Sequence, residues 1–373
     1  MPEWSSVVGV EFFSEKMKRA VINTSALPFF RFFAACVVVF FHFGQKIEFY
    51  PQVPEIFKAG PQMVTFFFVL SGFVLFLGYQ QRELNLRQYW IKRATRILPL
   101  YLLSLLMSAG FSALSGQLSF TDLLLNLLCL QSWFPHPLSL NFAGWFVSAL
   151  MFFYVVFPPI LLLLQKRRPD GRIMIAASLL LWGITQVVLI RLLNTDFYTG
   201  YPSWSHDLIY FFPFSHFCSF FMGICGAYFL QTRDVKARQE DWSSLWMTGA
   251  IFCSVVLLVQ LQPQLRQLLG LKLPFGSSFY APVMLVVLLH LTLSRNSFLE
   301  RVSWSKFALW GEMSYALYIL QAPMDALYKY VIPGHSLMAP EIDFMLFFIV
   351  LASTAFLLTV VEKRVVRRIR VGR

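Results

Sequence analysis

Runs of about 20 mostly apolar residues, the length a helix needs to cross a hydrocarbon core of ~30 Å, recur along the whole chain. They fall at roughly 27–45, 61–80, 97–114, 143–164, 173–193, 207–230, 243–261, 278–294, 307–331 and 343–361, parted by short polar, often basic stretches. The pattern predicts an all-α fold, a polytopic membrane helix bundle of about ten transmembrane helices. Composition agrees: 57% of the 373 residues are hydrophobic, only 13% are charged, and Phe occurs 41 times. Soluble domains carry about 25% charged residues, and a soluble fold cannot hide this much apolar surface. A soluble enzyme, a disordered chain and a disulfide scaffold are excluded. The five cysteines (Cys36, Cys129, Cys218, Cys225 and Cys253) all sit in apolar stretches and read as reduced core residues.

The net charge of +12 does not imply nucleic acid, because the cations cluster between apolar runs. With the N-terminus inside, 24 of the 31 Lys and Arg residues fall in cytoplasmic pieces. Both termini are therefore expected in the cytosol. Residues 121–131 are apolar but too short to cross, and crossing would put every later basic loop outside. They are expected as an extra re-entrant or interfacial helix on the extracytoplasmic side. The division is a cytoplasmic segment 1–26, a transmembrane domain 27–361 and a basic cytoplasmic tail 362–373. No signal-cleavage pattern precedes the first span, which is expected to be retained.

Ionisable groups inside spans are costly and face polar interiors. Arg31 lies near the inner end of the first span and His42 near its outer end. Eleven residues are ~3.06 helical turns, so both side chains leave one stripe ~16 Å apart along the axis. Each alone reads most simply as a snorkelling Arg and a hydrogen-bonded buried His. Their shared face suggests instead one passage with a cation inside and an imidazole outside. Arg93 and Arg96 share a face at the start of the third span, where Pro99 would occupy the first turn. They are a phosphate clamp or a plain inside anchor. Ser71-Gly72 permits close helix approach. Trp145 and Ser148 share a face with Phe152, as a cavity wall or an aromatic belt. Glu312 and Asp325 stand at the two ends of the ninth span, Asp325 at a depth that would suit His42. The other histidines are scattered, and no metal site is expected.

These segments together resemble the acyltransferase-3 family of integral-membrane O-acyltransferases. The resemblance rests on Arg31 and His42 with ten residues between them; on FFFVLSGFVL around Ser71; on KRATRILPLY, with Arg93, Arg96, Ile97, Pro99 and Tyr101; and on SYALYILQAP, with Tyr315. Two positions depart from the family's pattern. Phe146 and Leu150 stand where its W-S-L-x-x-E segment has Ser and Glu, and Gln321 stands where many members have His.

The resemblance implies acyl transfer across the bilayer of a bacterial-type inner membrane. Acetyl-CoA is the expected donor, with Arg31, Arg93, Arg96 and Tyr101 binding it and no metal involved. His42 is the expected general base, or else a covalent acyl carrier. Ser71, Trp145, Ser148, Tyr315 and Asp325 would support the acceptor side. The acceptor is expected to be a hydroxyl of an extracytoplasmic glycan, such as a lipopolysaccharide or a lipid-linked sugar, on a stand-alone enzyme. Trp133, Phe134, Tyr201 and Trp204 suit sugar stacking or an ordinary aromatic belt. The competing class is a transporter or lipid flippase without acyl-transfer chemistry, against which no internal repeat is found.

Overall fold

The computed structural model describes residues 24–232, 242–293 and 304–371. The expected segment 1–26 up to residue 23, and the loop cations Arg233, Lys236, Arg238, Arg295 and Arg301, lie outside the described residues. Among the described residues the fold is helical and contains no strand. The helices are α1 (Leu27–Phe43), α2 (Gly60–Tyr79), α3 (Leu86–Leu114), α4 (Phe120–Leu127), α5 (Trp145–Arg167), α6 (Gly171–Leu193), α7 (Trp204–Tyr210), α8 (Pro213–Thr232), α9 (Trp242–Gln260), α10 (Gln262–Leu269), α11 (Ala281–Leu293), α12 (Ala308–Val331) and α13 (Pro340–Val371).

Helix starts follow local chemistry. Pro28 and Pro61 occupy first turns, where a missing N–H costs least. Asn85, Ser119, Asp170 and Ser203 accept a backbone N–H at the starts of α3, α4, α6 and α7.

Length and hydropathy support part of the expected ten. Among the described residues seven stretches are long and apolar enough to cross, with an eighth if α9 and α10, bent by 58°, act as one. The remaining two expected spans are not among these, for different reasons. The described part of α11 has 13 residues, about 20 Å at 1.5 Å per residue, and ends where the described residues end. α12 is 24 residues long but carries Glu312, Asp325 and Lys329. Half of its residues are buried among neighbouring helices, so it does not need a lipid-compatible surface.

The third span is revised. It begins at Leu86 rather than 97, so Lys92, Arg93 and Arg96 belong to the same helix and Pro99 lies inside it, not in its first turn. The Asn85 cap, which accepts from Gln88 N at 3.0 Å, sets the earlier start. Residues 121–131 give only the eight-residue α4 and a short turn of helix at Gln131–Trp133. α4 buries Asn126 and leaves Leu124 and Leu127 outward, as an interfacial helix does.

α2 and α8 form the centre of the bundle, and α6 and α13 form its lipid-compatible rim. α2 packs along α8, and α1 along α12 and α2. The first contact depends on glycine. A Cβ on Gly72 would run into the Phe220 carbonyl, and one on Gly223 into the Val69 carbonyl. The two backbones touch because neither has a side chain there.

Short ties gather the loops at two ends. Gln165 Nε2 donates to the Gln80 carbonyl at 3.3 Å, and Tyr228 donates to the Pro169 carbonyl at 2.7 Å. Phe29 meets Phe307, and Lys363 pairs with Glu312. This end therefore collects Arg82, Lys92, Arg93, Arg96, Lys166 and Lys363. At the opposite end Glu48 N donates to Glu341 at 3.0 Å, and Lys272 N to Asn194 at 2.8 Å.

Candidate active site

Helices α1, α2, α3, α5, α12 and α13 enclose a cavity of about 870 Å³ that opens at the basic end. Its rim and walls carry Arg31, Lys92, Arg93, Arg96 and Lys363 against the two carboxylates Glu312 and Glu362. Among the described residues, neither Arg31, Arg93 nor Arg96 makes an ion pair; Glu312 is taken by Lys363. Arg93 is nonetheless held in place. Its guanidinium lies over the Tyr79 and Tyr154 rings, 5.9 and 5.8 Å from their centroids. Its Nε is buried without a hydrogen-bond partner. Three guanidiniums without carboxylate partners, in a water-accessible cavity, are built to receive an anion.

Away from the rim the cavity turns apolar. Leu70, Leu100 and Leu150 line it, and the rings of Phe67, Phe146 and Tyr318 close its inner end. Their centroids stand 5.0 to 6.3 Å apart. Phe146 and Leu150, which replace the family's Ser and Glu, thus supply part of this apolar floor.

His42 does not line the cavity. Its Nδ1 lies 2.9 Å from Gln321 Oε1, and its ring packs on Phe142 at 4.7 Å. Gln321 follows Tyr318 by three residues on α12, so the imidazole lies about one turn, ~5 Å, beyond the ring layer. The expected single passage from Arg31 to His42 is therefore interrupted by aromatic rings in this structure.

The other sequence-derived residues divide. Ser71 and Tyr315 line the cavity with the arginines, and the Tyr315 hydroxyl donates to the Ile97 carbonyl at 2.9 Å. Tyr101 does not reach it. That ring is fully buried, donates to the Asn126 carbonyl at 2.7 Å and accepts from Gln131 Nε2 at 3.2 Å. Trp145 and Ser148 also lie outside it. Trp145 is buried against Phe68, Phe211 and His216 and is not a belt residue. Ser148 Oγ accepts from Ser132 N at 3.3 Å. These residues pin the segment 115–144 onto the bundle. Asp325 does not meet His42; it bonds Lys329 at 2.5 Å. Phe134, Tyr201 and Trp204 are exposed at the end opposite the basic rim, whereas Trp133 packs against Phe152 and Phe212.

Sequence reasoning did not find the Tyr154 ring beneath Arg93, the Glu312–Lys363 pair or the ring layer. It noted Gln321 only as a departure. An amide one turn before Asp325 on the same face was the available signal.

Among the described residues no group of three or more His, Cys, Asp or Glu is placed to hold a metal ion. No curated protein and no solved structure matches the chain. One family model does, described as an acyltransferase domain, and it covers residues 25–361. With that match over nearly its whole length, the chain belongs to the acyltransferase-3 family, and the helical bundle just described is a membrane acyltransferase.

Proposed function

We propose that the protein moves an acyl group, most simply acetyl, from cytosolic acyl-CoA to a hydroxyl of an extracytoplasmic glycan. A lipopolysaccharide or a lipid-linked sugar is the fitting acceptor. In this reading the basic end faces the cytosol, both termini lie there, and the membrane is a bacterial-type inner membrane. The observation that carries the proposal is the set of three guanidiniums without carboxylate partners in one cavity, with His42 on the Arg31 stripe of α1. CoA presents a cluster of phosphates, and bidentate guanidinium contacts suit them better than ammonium groups do. Arg93 and Arg96 hold phosphate at the mouth, and Arg31 sits deeper, toward the pyrophosphate or the thioester carbonyl.

The pantetheine arm and acyl group then lie against the apolar floor. For transfer, the Phe67, Phe146 and Tyr318 rings part and the thioester carbonyl meets the acceptor hydroxyl beside His42. The imidazole takes the hydroxyl proton as general base. A closed ring layer in the absence of donor keeps cytosolic water from the acyl carbon and the membrane sealed. The test is to incubate membranes holding the protein with radiolabelled acetyl-CoA and glycan acceptor. Label in the glycan is expected. Uptake of label without acylation would overturn the reading in favour of a carrier.

A further inference from the structure

The hydrogen bonds around His42 determine which of its nitrogens is free. A glutamine amide has a donor end and an acceptor end, and the two cannot exchange roles. Gln321 Nε2 lies 2.8 Å from the Tyr318 carbonyl, an acceptor only. The nitrogen end must face that carbonyl. Oε1 is then the atom 2.9 Å from His42 Nδ1, and an amide oxygen only accepts. Nδ1 must therefore carry hydrogen, which leaves the lone pair on Nε2. Gln321 is fully buried, so water does not compete for the amide.

The arrangement is anchored in the backbone. Pro323 lies inside α12 and has no N–H for the Ile319 carbonyl, the partner it would otherwise serve four residues back. Asn141 Nδ2 fills that vacancy with a 2.9 Å bond to Ile319 O. The next residue, Phe142, sets its ring against His42 at 4.7 Å and 67°. One side of the imidazole is thus packed while Gln321 holds Nδ1. Asp325 is bound to Lys329 and offers no rival acceptor.

We propose that Gln321 is a positioning residue that holds His42 in the Nδ1–H tautomer, so that Nε2 is the atom that takes the acceptor's proton. The proposal rests on His42 being the base. As the hydroxyl oxygen bonds to the thioester carbonyl carbon, its proton passes to Nε2. The C–S bond breaks, and the CoA thiolate leaves with the electron pair. The proton on Nε2 then neutralises the thiolate, and His42 returns to its neutral form. While the imidazole is charged, Oε1 stabilises Nδ1–H without moving.

Two variants and one spectroscopic measurement test this. Gln321→Met keeps the side-chain length but removes the acceptor, whereas Gln321→Glu keeps an oxygen in place. The Met variant is expected to lose roughly 10–100-fold in kcat, the usual cost of removing such a partner, with the donor KM unchanged. The Glu variant, protonated in this buried position so that its hydroxyl donates to the Tyr318 carbonyl while the other oxygen accepts from Nδ1, is expected to retain most of the activity. Independently, ¹⁵N-histidine NMR of the detergent-solubilised full chain, with the His42 signal assigned by its loss in His42→Ala, should show a protonated Nδ1 and an unprotonated Nε2. A wild-type His42 with bare Nδ1, or a Met variant with wild-type kcat, would overturn the proposal. If the Met variant does not fold, the wild-type spectrum still decides the tautomer. An active His42→Ala enzyme with the tautomer as described would sink the general-base reading and leave the hydrogen-bond assignment standing.

Discussion

Arg93 and Arg96 leave the same face of α3, yet different surroundings hold them. Arg93 stacks on Tyr79 and Tyr154 with a buried, unpartnered Nε, while Arg96 is exposed at the cavity mouth. A flat guanidinium fits between two rings, and an ammonium does not. Arg93→Lys should therefore raise the donor KM more than Arg96→Lys. Replacing both by Ala removes two charge-assisted contacts of ~1.5–3 kcal/mol each and should raise that KM by at least about a hundredfold. Michaelis curves against acetyl-CoA check both statements; an unchanged KM in the double variant rejects the clamp. His42→Ala should lower kcat by ~10²–10⁴-fold, the usual share of a general base, and leave membrane insertion and donor KM intact. That Arg31 shares a helix face with His42, and Arg93 with Arg96, could be read from helical spacing, because a helix face is a local property; that the ring layer parts Arg31 from His42 could not. The His42–Gln321 bond joins residues 279 apart in the chain, and no spacing rule reaches that far.

Among the elements, the α2–α8 contact carries the tightest constraint. Gly72→Ala would drive a methyl group into the Phe220 carbonyl, a backbone atom that cannot rotate away. Overpacking of this kind costs ~1–3 kcal/mol, and Gly223→Ala should cost a similar amount through the Val69 carbonyl. Thermal unfolding in detergent is the measurement, and an unchanged midpoint for both variants would show that the helices can separate freely. Phe146 on α5 bears on the second prediction. It closes the cavity with Phe67 and Tyr318. Phe146→Ala should open the floor and raise acetyl-CoA hydrolysis in the absence of acceptor, while glycan acylation falls relative to it. The apolar runs located the helices, since hydropathy alone decides that level. The start of α3 lies before the expected 97 because Arg87, Lys92, Arg93 and Arg96 interrupt the apolar run that hydropathy follows; the Asn85 cap marks where the helix begins.

For the whole molecule, the two ends differ in chemistry, and the mechanism needs them on opposite sides of the membrane. Arg82, Lys92, Lys166 and Lys363 gather at one end with the cavity mouth, and His42 sits toward the other. Basic loops between apolar runs are visible in the sequence, and the proposed orientation is argued from them by the rule that short cytoplasmic loops carry the excess of Lys and Arg. The bent α9–α10 pair and the protein-enclosed α12 were not visible there, because bends and lipid contact depend on neighbours that only the assembled bundle supplies. Cysteine labelling tests the orientation. Three of the native thiols, Cys129, Cys218 and Cys225, are buried and Cys36 is half-buried, while the exposed Cys253 lies within the apolar α9, out of reach of a charged reagent. Lys166→Cys and Arg364→Cys mark the basic end, and Gln117→Cys marks the other; all three positions are exposed. In intact cells a membrane-impermeant maleimide should label Gln117→Cys alone, and the other two only after permeabilisation. Labelling of Lys166→Cys or Arg364→Cys from outside would place the arginine cavity away from cytosolic CoA, and a cavity without access to its donor could not serve the proposed reaction.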